Sequence, residues 1–559
     1  MSATISSNNL KFVIFGSGHD YTLADSGEGE KVFFSHYYVP LGAENYAGFF
    51  YFMVPDENKE FFDAVKDDIA HCTFEPAIGA TFNTVGEQTV KVHYRREYVY
   101  PEETLLVEKE LEQKIEVVDH GAVSSTSSHI DIYSDGYGFI HPTTTSTVQE
   151  ETYTMLGSGI KKISSIPWRK GSSLYNFISS SILEDVTELE YAEVSSITDM
   201  RQAFSGCEAL ETLEGLDGWI TSKVMQMQSM FEGCHALEDI SALKSWDTEN
   251  VGSMEAMFKS CEALEEVSDV TNWDTAKVGN FKEMFMDTAI TDLTQLSSLD
   301  VSSATYLSGM FKYCDFEELD GLGSWDVTHA TQMDELFYGC DKLTDISAIE
   351  DWDVSNVRNM AYLFYGNVSL EDYTPLTDWN TSSLYNASYM FAGSNALAPD
   401  KAIGGKIKDV DFLANWDVSK VGIFEGMFQN QWWLSDISGL ADWNTSNGQN
   451  FLQMFEMDCG LRSLSALAGW NMARATDIRN MFTGYMIHSS GLNEDLFQIV
   501  SYYISEDGTR YAMSDPAIGT VTDLTTDCSA LEGWTVNIAS PTGVVPNDAT
   551  HYINPPSWR

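Results

Sequence analysis

The sequence predicts a multidomain chain: a β-rich amino-terminal region over residues 1–160, an α/β solenoid of about 12 repeats over residues 161–488, and a carboxy-terminal cap over residues 489–559. Three observations lead there. A phenylalanine recurs at Phe204, Phe231, Phe258, Phe285, Phe311, Phe337, Phe364, Phe391, Phe428, Phe455 and Phe482, in steps of 27 or 26 with one step of 37. A tryptophan keeps step at Trp219, Trp246, Trp273, Trp325, Trp352, Trp379, Trp416, Trp443 and Trp470, with Leu299 in the place of the missing member. Residues before about 160 lack this period and carry β-branched and aromatic runs instead. A fixed period of this length marks a stacked array, because one unit cannot bury its own apolar face and uses its neighbours to do so.

In the amino-terminal region, Val13–Phe15, Lys31–Val39, Phe49–Val54, Thr89–Val99 and His129–Ile140 read as strands bounded by Gly, Asp, Asn or Pro. Residues 56–71 read as an amphipathic helix with Phe61, Phe62, Val65 and Ile69 on one face. Residues 79–100 read as a hairpin, and over these roughly twenty positions the chain resembles an immunoglobulin-like β-sandwich. The Ser/Thr-rich stretch 123–146 reads as a loop or boundary, although His129 to Tyr133 alternates as a strand does.

The stretch from Trp352 to Trp379 gives the logic of one repeat. Asp353 is a turn former and Ser355 a good N-cap. The spacing of Val357, Met360, Leu363 and Phe364 predicts a short helix with one buried face. Gly366 falls where a left-handed residue ends such a helix, a place also held by Gly206, Gly233, Gly339, Gly393 and Gly484. Beyond it, apolar residues recur every third position, as in Leu237, Ile240, Leu243 and Trp246, which suits a short extended rung.

Trp246, Asp247, Val251, Met254, Met257, Phe258, Cys261 and Leu264, with Met227, Met230, Phe231, Cys234 and Leu237, carry a resemblance. The pattern is similar to that of the bacterial surface proteins with BspA-like leucine-rich repeats, a repeat also found on phage structural proteins. It covers roughly residues 165–488. The resemblance implies a leucine-rich-repeat-like solenoid and exposed recognition work, with no catalytic residue to carry over.

The formal net charge is −53 and the sequence pI about 4.2. Such acidity repels phosphate backbones and anionic membranes, so no nucleic-acid partner and no membrane insertion are expected. The amino terminus has no basic leader followed by a long apolar core, and the most apolar run, Tyr46 to Val54, is far shorter than a membrane span. No signal peptide is expected.

Cys207, Cys234, Cys261, Cys314 and Cys340 all stand three residues after a marker phenylalanine, and Thr288, Asn367 or Ser394 takes that slot elsewhere. They are expected to form a column of buried free thiols in a slot that wants a small side chain. Paired metal-ligand spacing such as C-x-x-C is absent.

The step of 37 places about ten extra residues near 398–408, and these hold a local basic patch with Lys401, Lys406 and Lys408. Two readings stand there, a tolerated loop or a partner contact. The next unit carries Trp432 and Trp433 beside Gln429, Asn430 and Gln431. Paired tryptophans among amides suit a sugar or protein contact, and they equally suit packing within the stack. Beyond Tyr485 the period fades; a helix is expected over Asn493–Ile504, and Cys528, Leu531 and Trp534 echo the repeat as part of a closing cap.

No catalytic constellation emerges. Pairs that could ligate a metal are limited to His120 with Asp119 and His129 with Asp131, and the glycines of residues 15–20 lack the rest of a phosphate loop. Catalytic, cofactor and metal sites are all expected to be absent. The expected function is non-enzymatic binding or adhesion, as a virion surface component, either head decoration or tail appendage. Its amino-terminal region would contact other virion subunits, and its repeats a host-surface protein or glycan. The alternatives are a bacterial cell-surface adhesin and a purely structural virion spacer. An enzymatic amino-terminal domain that uses the repeats for targeting is the remaining reading.

Overall fold

The computed structural model describes residues 37–40, 53–55, 61–63, 72–77, 80–99, 104–126, 130–140, 159–165, 173–192, 194–394, 405–431, 433–456, 458, 461, 463–479, 481, 502–504 and 510–512. The chain forms two compact units, one of Met1–Val251 with Cys261–Asp274, the other of Gly252–Ser260 with Thr275–Arg559.

Among the described residues the first unit opens with ten strands: β1 (Tyr37–Pro40), β2 (Met53–Pro55), β3 (Phe61–Asp63), β4 (Cys72–Glu75), β5 (Gly86–Val99), β6 (Thr104–Val118), β7 (Val123–Thr126), β8 (Ile130–Tyr133), β9 (Tyr137–Ile140) and β10 (Lys162–Ser165). One four-stranded sheet runs β1-β6-β5-β4, a second runs β10-β9-β8-β7, and β2 pairs with β3. Two expectations change here. Phe61–Asp63 is a strand rather than part of a helix, since it pairs antiparallel with Met53–Pro55. Pairing with another apolar segment overrides a local helical pattern. The hairpin expected within residues 79–100 is instead one arm of a longer one. Its register runs from Gly86 opposite Val117 to Val99 opposite Thr104. The expected strand at Val13–Phe15 lies outside the described residues.

The second sheet leads into the repeats. β10 lies parallel to β9, and the Ile163 N–H donates to the Asp185 carbonyl at 3.2 Å. From there the first unit stacks. Parallel bridges join Ser173 to Asp199, Asp199 to Gln226, and Thr212 to Asp239. Phe204 and Phe231 lie face to face with centroids 5.6 Å apart, and Trp219 and Trp246 at 6.1 Å.

The second unit repeats this arrangement. Parallel bridges step from Ser253 through Asn280, Tyr306, Gln332, Asn359, Asn386, Ile423 and Asn450 to Asp477. Phe337, Phe364, Phe391, Phe428 and Phe455 stack with centroid separations from 5.4 to 6.2 Å. Each such pair adds about 0.5–1.5 kcal/mol beyond the area it buries. Short 3-10 turns, as at Ser347–Ile349 and Thr374–Leu376, precede the tryptophans.

The helix expected after Ser355 does not form. Val357, Met360, Leu363 and Phe364 are buried as the pattern required. However, the N–H groups of Met360, Tyr362, Phe364 and Gly366 donate to Asn386, Ser388, Met390 and Ala392 of the next repeat. Only short-range bonds close locally, Leu363 N–H to the Met360 carbonyl and Tyr365 N–H to the Tyr362 carbonyl. Those three-residue closures reproduce the spacing of one helix face. The backbone itself is excluded from a helix by Tyr362 at φ 59°, four residues before Gly366 at φ 76°. The same pair recurs as Gln202 with Gly206, Ser229 with Gly233, and Glu335 with Gly339. The glycines at 206, 233, 339 and 366 are therefore left-handed as expected, but they follow a turn rather than end a helix; Gly484 lies outside the described residues.

Asp353 itself holds the preceding turn, its Oδ1 accepting from the Ser355 N–H at 3.0 Å. Asp326 and Asp417 do the same for Thr328 and Ser419. Side-chain and backbone bonds from those partners hold all three carboxyls below the ordinary carboxylate range.

Beyond the repeats, Tyr502–Ile504 and Arg510–Ala512 pair antiparallel. The end of the helix expected over Asn493–Ile504 is thus a strand, again because a partner strand supplies its hydrogen bonds. The rest of that helix and the expected cap motif at Cys528, Leu531 and Trp534 lie outside the described residues. Among the described residues no helix is long and apolar enough to cross a membrane.

Candidate functional site, a tyrosine face beside carboxylates

Among the described residues the one two before each marker phenylalanine is left-handed; at several repeats it and the residue just after the phenylalanine are partly exposed, whereas Ala256, Ala392 and Gln429 at the same places are buried. In the second unit these places hold Glu335, Tyr362 and Tyr389 in the first column, and Lys312, Tyr338 and Tyr365 in the second. Tyr362 stacks on Tyr389 at 4.8 Å and Tyr338 on Tyr365 at 4.7 Å. Tyr362 and Tyr365 meet at 5.5 Å, so the two columns form one aromatic surface. Tyr313 adds its ring edge-on to Tyr338 at 5.3 Å and is 47% exposed, which leaves this margin open to a partner.

Glycines let these rings lie flat. A Cβ on Gly339 would meet the Tyr313 ring at 2.8 Å, and one on Gly426 would run into the Tyr389 ring.

Charge is distributed unevenly along the face. At one end Lys312 donates to Glu335 at 2.6 Å, while its ammonium lies 4.2 Å from the Tyr338 ring centroid and 5.4 Å from that of Tyr313. Lys259 and Glu283 form the same cross-repeat pair at 2.6 Å. At the other end the carboxylates meet neutral donors. Glu425 accepts from Tyr389 Oη at 3.1 Å and Asn450 Nδ2 at 2.8 Å, and Glu456 accepts from Gln429 Nε2 at 2.6 Å and Gln453 Nε2 at 2.5 Å. Burial raises the Glu456 pKa above the ordinary carboxylate range. Burial, followed by the Glu425 charge, likewise raises the phenols of Tyr362 and Tyr389. Both phenols stay neutral donors near pH 7.

Those residues singled out from sequence that are described sit elsewhere. Lys401 and Trp432 lie outside the described residues, and Trp433 is half-buried in the turn after Gln431. Lys406 and Lys408 come together on Glu371, at 3.0 and 3.7 Å. The hydrogen bond from Lys406 holds the Glu371 carboxyl below its ordinary range. The amides beside the tryptophan pair are buried: Gln429, Asn430 and Gln431 serve the stack, with Gln431 Oε1 accepting from the Ile407 N–H at 3.0 Å. They are not free to grip a sugar.

Cys207, Cys234, Cys261, Cys314 and Cys340 are buried free thiols. Each donates to a backbone carbonyl one repeat earlier, as Cys340 does to Phe311 at 3.2 Å. Small size is not the requirement, however, because Gln431 and Asp458 occupy the same slot. The Gln431 amide donates to the Phe391 carbonyl as the thiols do to theirs. Asp458 accepts from the Gln431 N–H at 2.9 Å and leaves Oδ2 without a partner. His120 pairs with Asp135 at 2.8 Å rather than with Asp119, which accepts from the Gly121 N–H. His129 lies outside the described residues. Among the described residues no group of three or more His, Cys, Asp or Glu side chains could hold a metal ion.

A family model described as "Mycoplasma protein of unknown function, DUF285" matches residues 198–319, 305–411 and 400–501. The chain belongs to this family. The three tandem matches cover more than half of its length and coincide with the repeats, so the Mycoplasma family is defined on the part of the chain that carries the tyrosine face. A comparison with curated proteins finds no match.

Proposed function

We propose that this chain is a non-enzymatic recognition protein of BspA-like leucine-rich-repeat type. Its stacked repeats hold the face of Tyr313, Tyr338, Tyr362, Tyr365 and Tyr389 rigid for a macromolecular partner. The observation that carries the reading is the cross-repeat pairing of these tyrosines. An array held by Phe and Trp stacks alone has no need of a second aromatic ladder outside its core. Aromatic rings fixed by their neighbours lose little entropy on binding and supply large contact area, which is why Tyr dominates binding hot spots.

The setting follows the sequence reading: display on a virion surface, with the amino-terminal sheets against neighbouring subunits and the repeats toward a host protein or glycan. A second setting, the bacterial cell-surface adhesin, is favoured by the family itself, which is named for a cellular organism, Mycoplasma. Mass spectrometry of purified particles beside washed cell envelopes separates the two. Stoichiometric recovery of the chain in particles supports the virion setting, and recovery only in envelopes supports the adhesin. Recovery in neither, with the chain wholly in the cytosol, contradicts surface recognition altogether.

A further inference from the structure

We propose that the end of the tyrosine face formed by Tyr362, Tyr389, Glu425 and Glu456 receives a lysine or arginine side chain of a protein partner. The chain already contains the arrangement. Lys312 lies over the Tyr338 ring at 4.2 Å while bonded to Glu335 at 2.6 Å, a cation held between an aromatic face and a carboxylate. Arg201 repeats it in the first unit, 5.2 Å from the Tyr175 centroid and bonded to Asp199 at 2.8 Å.

Two repeats further along the second unit the aromatic and the acid persist, and among the described residues no cation is bonded to them. Tyr362 and Tyr389 stack there, Glu425 takes the Tyr389 hydroxyl, and among the described residues Glu425 and Glu456 hydrogen-bond only to phenol and amide donors. The nearby cation Arg479 is held in a two-point bond by Asp477, at 2.6 and 2.9 Å, and reaches Glu425 only through its field. Phenol and amide donors orient a carboxylate without neutralising it. The site is thus built to receive positive charge, and the net charge of −53 steers basic partners toward the chain. An acidic peptide would be repelled by this pair of carboxylates. The partner class rests on the recognition reading above.

The test uses the full chain and two blocked peptides, Gly-Lys-Gly-Arg-Gly and its glutamine-for-cation twin. The expected result is saturable binding of the basic peptide, no binding of the twin, and protection of Tyr362 and Tyr389 from nitration. The isosteric double change Glu425→Gln with Glu456→Gln should weaken binding at least tenfold while leaving the fold unchanged by circular dichroism. Tyr362→Leu should weaken it independently. Equal affinity for wild type and the glutamine variant would overturn the proposal, because attraction would then come from the acidic chain as a whole. So would nitration that the peptide leaves unaltered. Surface recovery of the chain combined with either of these results would leave the recognition reading standing and remove only the cationic partner.

Discussion

Trp352 donates its indole Nε1–H to the backbone carbonyl of Leu322, 3.1 Å away and one repeat earlier. Trp325, Trp379, Trp416, Trp443 and Trp470 make the same bond to Leu296, Ile349, Leu376, Leu413 and Leu440. The tryptophan is therefore a fastener between repeats as well as an apolar filler. Burying an indole requires a partner for its N–H, and here the partner is a carbonyl that also accepts a backbone N–H within its own repeat, as Leu322 does from Trp325 at 3.0 Å.

Replacing Trp352 by Phe keeps a ring in the core but removes the inter-repeat bond to the Leu322 carbonyl, which keeps only its Trp325 N–H, and loosens the stack on Trp379, whose ring lies 6.5 Å away. A loss of about 2–3 kcal/mol is expected, read as a lower urea midpoint. An unchanged midpoint would mean the indole bond contributes nothing net.

The left-handed positions separate strain from crowding. At Gly366 the nearest atoms to an added Cβ are 3.8 Å away, so Gly366→Ala should cost only the backbone strain, about 1–2 kcal/mol. Gly426→Ala adds a collision with the Tyr389 ring, and should both destabilise more and displace that tyrosine. Thermal unfolding orders the two variants, and nitration of Tyr389 reports the displacement.

Burial pushes the Cys207 thiol up to about 12 and the Cys314 thiol up to about 11, and Cys234 and Cys340 are raised well above the ordinary range. These cysteines should resist iodoacetamide at pH 8 in the native chain and react fully in urea. Peptide mapping of the modified sites checks this. Rapid native labelling of Cys340 would contradict the buried ladder.

Asp458 gives a pH prediction. Burial, with the nearby Glu456 charge, raises its pKa in the folded chain, so the folded state holds its proton more tightly than the unfolded state does. That contribution is fully present below the unfolded value of about 3.9 and is lost as pH rises through the folded value. Asp458→Asn removes the loss and offers a donor at the position of Oδ2, so it should raise stability at pH 8 by about 1–3 kcal/mol and much less at pH 4. Urea titrations at the two pH values measure the difference.

The column residues are legible in the sequence because a period repeated many times outweighs local ambiguity: Phe364, Trp352 and Cys340 occupy their expected buried places. The helix is not, because i to i+3 turn bonds mimic the spacing of a helical face. No pattern of apolar residues reveals that Met360 and Phe364 give their N–H groups to another repeat. The strands at Phe61–Asp63 and Tyr502–Ile504 escape sequence reading for a related reason, since each is held by a partner strand elsewhere in the chain. The tyrosine face leaves a signal that attention to buried positions passes over. Tyr362 and Tyr389 each stand two before a marker phenylalanine, and Tyr338 and Tyr365 each stand one after. The carboxylates that complete the face are too common in this acidic chain to stand out without distances.

Retention of the purified full chain on intact particles or washed envelopes, measured as a saturable isotherm beside a variant carrying Tyr362→Ala and Tyr389→Ala, tests the account most directly. Saturable retention of the wild type, reduced at least tenfold in the variant at an unchanged fold by circular dichroism, is the predicted result. Equal retention of both chains, or none of either, would contradict recognition through the tyrosine face.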